Sequence, residues 1–118
     1  EVRLQAARGL AILGYNDGLD IALDYLFFHS PRHVTAHDPG HQQIARIRGL
    51  AALALEAMAE PSALGALKRA FEASGQSVYV RIAIARAAIR TIDLNRVQTT
   101  EQKDESLAHT RPAGQASK

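Results

Sequence analysis

The chain has 118 residues and a formal net charge of +2, with 47% apolar residues and 22% charged ones. One small domain is the natural size for this length, and the apolar share excludes wholesale disorder. Zero cysteine excludes a disulfide framework, thiolate catalysis and Cys-type zinc sites, while a charge this close to neutral gives no electrostatic reason to expect nucleic acid or an anionic membrane. Alanine occurs 22 times and aromatics make up only 5%. Small apolar side chains suit closely packed helices better than a β-sandwich.

The chain opens Glu1-Val2-Arg3 without an initiator Met and enters a patterned segment at once. It therefore reads as a C-terminal piece of something longer. No signal peptide is in view, no run reaches the ~18 apolar residues that span a bilayer, and the cytoplasm is favoured without being fixed.

Three segments line up. Val2 to Ala11 resembles Gln42 to Ala51, which ends Arg48-Gly49-Leu50-Ala51, and it resembles Val80 to Ile89. Leu4, Ile44 and Ile82 match, as do Ala7, Ile47 and Ala85, and Leu10, Leu50 and Ala88, at helical spacing. In the first unit Gly14 stops the helix and Asp17 is expected to cap a second one. That second helix has Leu19, Ala22, Leu23 and Leu26 on one stripe. In the second unit Pro61 opens the second helix, whose stripe is Ala63, Ala66, Leu67, Ala70 and Phe71. Ser74-Gly75 then ends it, and Ser77 caps the next. Val78 to Ile84 alternates like a strand, but the repeat match and the alanine-rich continuation to Ile92 predict helix; a lone strand would have no partner.

The units are thus 2–29, 41–74 and 77–93, with a loop over 30–40 and a disordered tail over 94–118. The pattern Val2, Arg3, Ala6, Ala7, Leu10 and Gly14 to Asp17 resembles the HEAT repeat family, in particular the bacterial HEAT-like repeats of phycobilin lyases. Echoes stand at Arg48 to Ala51 and at Val80-Arg81. The resemblance implies an all-α fold, an α-solenoid of antiparallel helix pairs whose inner helices line a concave partner-binding surface, and no reaction or cofactor. The middle unit departs from the pattern: Gln42-Gln43 replaces Val-Arg, and its first helix runs about four residues longer. That helix, Gln42 to Ala59, is apolar nearly all round and needs cover on several sides. The first helix is also too apolar for a free end, which predicts repeats or a domain upstream.

Four of the five histidines, His29, His33, His37 and His41, are spaced four apart around Pro31 and Pro39. Continuous helix would make them a metal face, and His33, His37, Asp38 and His41 are the weaker metal reading. Two prolines break such a helix, so a polar loop is the plainer one, with Asp38-Pro39 capping the next helix. A pH-responsive contact is the third option. Arg8, Arg48 and Arg86 occupy matched positions and would stack into a ladder, either an anion track or stems packed across neighbours.

On the second helices, Asp20, Asp24 and Tyr25 and then Lys68, Arg69 and Glu72 are the expected partner-binding residues; the alternative is a solvated face. Tyr25 and Phe28 could equally pack beneath the loop. No catalytic motif is present. The sequence therefore predicts a non-enzymatic scaffold for a protein partner or an upstream domain of the same chain. The second reading is a C-terminal region of a larger enzyme, such as a zinc aminopeptidase or lyase, bracing a catalytic domain.

Overall fold

Alanine decides how closely these helices approach. In the computed structural model, which describes residues 1–96, eleven of the eighteen buried apolar residues are alanine. Such small contacts bring interaxial distances toward the lower end of the usual 8–10 Å. All regular structure among the described residues is helical: α1 (Val2–Ile12), α2 (Leu19–Leu26), α3 (Gly40–Met58), a 3-10 turn (Pro61–Ala63) running into α4 (Leu64–Glu72), and α5 (residues 78–96).

The stops are those that backbone chemistry dictates. Gly14 and Gly75 take positive φ, +95° and +73°, where a Cβ would be strained. Pro61 opens the 3-10 turn, and the Ser77 hydroxyl accepts the Val80 N–H at 3.2 Å. Gly18, rather than Asp17, caps α2, and no side chain bonds that end. A Cβ on Gly18 would run into the side chain and backbone of Ala7, so α1 fixes this residue as glycine. The expected cap at Asp38 is likewise absent. Pro39 is the N-cap of α3 and Gly40 its first residue, while Asp38 turns its carboxylate to Arg46.

Helix α3 is the hub. It packs on α1 and α2, which touch each other, while α2 also meets α4. Its other flank meets α5, where the Tyr79 ring lies over Gly49. Leu55, fully buried in α3, joins Leu4, Leu26, Leu67 and Ile84 from the four other helices in one core. Burying each such side chain contributes about 1.5–3 kcal/mol.

The last carbonyls of α3 have no partners within the helix, and three neighbours supply them. The Asn16 amide donates to the Met58 carbonyl at 3.2 Å, Asn95 to the Ala59 carbonyl at 3.0 Å, and Arg90 Nε to the Glu56 carbonyl at 3.1 Å. The α1–α2 turn and α5 are thereby tied to one helix end.

Val78 to Ile84 is helical. Val80, Ile84, Ala87 and Thr91 form its buried stripe at spacings of four, three and four, and Val78 and Ile82 point outward. Thr91 is satisfied by donating to the Ala87 carbonyl at 2.7 Å. The helix also continues through 94–96, which corrects the expected tail boundary; the rest of that tail lies outside the described residues. Phe71, expected in the buried stripe of α4, stays 37% exposed because Arg81 covers its ring only from one side, at 4.6 Å.

Candidate functional site

The second helices turn charged stripes outward. On α2, Asp20, Asp24 and Phe27 form an exposed stripe at spacings of four and three. On α4, Lys68, Arg69 and Glu72 are exposed. The Arg69 guanidinium lies 5.9 Å from the centre of the Phe27 ring, which sets the two stripes side by side. Among the described residues Asp20, Asp24, Lys68 and Glu72 enter no ion pair. An acidic strip on α2 therefore adjoins a mainly basic strip on α4, both open to solvent.

Tyr25 has a different setting. It is half-buried beside Phe28, with ring centres 6.1 Å apart, and lines a cavity of about 450 Å³ with Ile21, Asp24 and Phe27. Asp24 and Tyr25 thus share one hollow. Lys68 instead borders an apolar groove of about 420 Å³ between α4 and α5, with Leu67, Phe71 and Ile89. Arg69 meets α2 at Phe27, but the six expected residues are not brought into one pocket.

The histidine-rich segment is a loop without helix. Among the described residues no three His, Cys, Asp or Glu side chains gather as a metal site, so His33, His37, Asp38 and His41 are not brought together. Asp38 is engaged elsewhere: its carboxylate takes a two-pronged contact from Arg46, at 3.0 and 3.2 Å. That hydrogen bond holds the Asp38 carboxyl below the ordinary aspartate value, and both Asp38 and Glu1 raise the pKa of Arg46.

Two residues that the sequence did not assign to the loop fix it. Gln43 is 5% exposed; its amide donates to the Asp38 carbonyl at 3.0 Å and its oxygen accepts the Arg32 N–H at 3.2 Å. A Gln pair opening a helix was the available signal, since Gln42-Gln43 breaks the repeat pattern. Arg48 turns inward, donating to the Phe28 carbonyl at 2.7 Å and to the Gln76 side chain at 2.9 Å. Burial pushes its pKa below the usual arginine value.

The arginine ladder does not form. Arg48 is turned to the loop, and Arg86 faces Glu56, eight residues further along α3, at 3.7 Å. Arg8, Arg86 and Arg90 instead border one hollow of about 330 Å³ on the α1–α3–α5 side.

No described helix is long and apolar enough to cross a membrane. No protein-family model, curated protein or solved structure matches the chain.

Proposed function

We propose that this chain is a non-enzymatic α-solenoid module, a short stack of HEAT-like helix pairs, that binds a protein partner through the joined faces of α2 and α4. The observation that carries the reading is the pair of exposed stripes held together by Arg69 on Phe27, with Asp20, Asp24, Lys68 and Glu72 in no ion pair among the described residues. Free charges of both signs on adjoining helices give a partner's complementary charges a fixed register, which governs specificity and association rate more than affinity. Support for the stack comes from the contacts themselves: α3 lies between α1 and α5, and α2 meets α4.

A photo-crosslinking residue at Asp24 or Glu72, expressed in the native host, should give one discrete adduct that disappears in the Asp20→Lys, Asp24→Lys double variant. The same probe at Val2, on the opposite layer, serves as the comparison. Equal adducts from both layers, or an adduct indifferent to the charge reversal, would remove the reading.

A further inference from the structure

We infer that the hollow between α1, α3 and α5 is a second binding site, which takes the carboxylates of an acidic protein segment. Its lining joins Arg8 from α1, Glu56 from α3, and Arg86 and Arg90 from α5, on a floor of Ala11, Ile12, Leu53 and Ala57.

Charge counting makes the case. One carboxylate among three guanidiniums leaves two positive charges unmatched. The single ion pair is loose, with Arg86 3.7 Å from Glu56 and 66% exposed, so an incoming anion can displace it. Arg90 is anchored by its Nε on the Glu56 carbonyl, a neutral acceptor that cancels no charge. Arg8 is exposed and makes no hydrogen bond or ion pair among the described residues. Three like charges brought to one hollow from separate helices repel one another, and an anion relieves that repulsion. Guanidinium groups grip carboxylates with paired, charge-assisted bonds.

The floor narrows the choice of ligand. Ile12 is 68% exposed and stands beside half-buried Leu53, so the hollow offers aliphatic contact next to its cations. A segment alternating glutamate or aspartate with an aliphatic residue satisfies both; a free phosphate satisfies only the charge. The site lies on the layer away from the α2–α4 face and stands or falls independently of it.

The test uses the full chain and a fluorescein-labelled peptide of alternating glutamate and leucine, read by fluorescence anisotropy. The glutamate peptide should bind and its glutamine counterpart should not. Arg8→Gln should weaken binding about ten-fold, the worth of one charge-assisted contact, without changing the far-ultraviolet dichroism, because Arg8 has no partner to lose. Glu56→Gln should tighten binding about three-fold by removing the internal competitor. Arg32→Gln, at an exposed loop cation outside the hollow, should change nothing.

Equal binding of the two peptides, no binding of either, or no effect of Arg8→Gln would overturn the inference. So would a loss with Arg32→Gln as large as with Arg8→Gln, which would mean a diffuse basic surface. Inorganic phosphate that binds where the glutamate peptide does not would make the hollow a site for small oxyanions instead.

Discussion

Two connections join the helical units, and they are held by opposite means. The first runs thirteen residues, Phe27 to Pro39, and contains no regular structure. The second runs five, Ala73 to Ser77. The short one is specified locally: Gly75 takes the left-handed turn, Ser77 caps α5, and the Gln76 amide returns to the Ala70 carbonyl at 3.0 Å. The long one leans on side chains of α3, the helix that follows it: Gln43, Arg46 and Arg48. Its internal devices are the turn in which Thr35 accepts the Asp38 N–H through both its carbonyl and its hydroxyl, and the contact of the His29 ring with the Phe27 carbonyl at 3.2 Å. A short loop can be written in its own residues, because few backbone groups need partners. A long one must borrow partners from the helix beneath it.

Among the described residues Arg48 is the only side chain bonding to both connections, so it is where the contrast breaks hardest. Arg48→Met keeps the stem but releases the Phe28 carbonyl and Gln76 together. Thermal or denaturant unfolding should show a loss of about 2 kcal/mol, in the range of hydrogen bonds from a charged donor. Hydrogen exchange should rise at both connections at once. A rise at one alone would show that they are fastened separately.

Gln43→Leu sharpens the comparison, since it touches only the long loop. It strands the Arg32 N–H and leaves the Asp38 carbonyl with only the Thr35 N–H, and should cost about 1–2 kcal/mol. Exchange should rise over 32–38 and stay unchanged over 73–77. Matching protection in the variant and the parent would mean that the loop is held by its own turns.

The helices were legible because their punctuation is local. Gly14, Pro61, Gly75 and Ser77 act within a residue or two of where they stand, and the apolar stripe of Val80, Ile84 and Ala87 outvotes the strand-like alternation of Val78 to Ile84. The caps at Asp17 and Asp38 were misread for a tertiary reason. Ala7 leaves room only for glycine at the start of α2, and Arg46 draws the Asp38 carboxylate away from the start of α3. The second helices could be read as exposed because their polar stripes are continuous.

The arginines could not be read by matching repeats. Position in a repeat fixes the angle of a side chain about its own helix, whereas its partner depends on how neighbouring helices slide. Helix α3 has 19 residues against 11 in α1, while α5 over its described residues is as long as α3, and their packing places Glu56, not Arg48, opposite Arg86. Equal repeat positions therefore ended in unequal surroundings, one inward and two outward.

The smallest expected effect concerns the pair at the end of the long loop. Asp38 and Arg46 are both about 40% exposed, so their attraction is screened and adds little to global stability. It is still visible by titration. The Arg46 contact lowers the folded pKa of Asp38 below the unfolded value of about 3.9. The contribution is therefore fully present above about pH 4 and is lost as pH falls through the lower, folded value. The Arg46 Nη–H resonances, on the nitrogens that donate to Asp38, should follow that titration with a midpoint below 3.9, shift toward it in high salt, and lose the transition in Asp38→Asn. A midpoint at or above 3.9 in the parent would mean that the carboxylate is free in solution. The long loop would then be fastened by Gln43 and Arg48 alone, and its contrast with the short connection would rest on buried amide and guanidinium contacts rather than on surface charge.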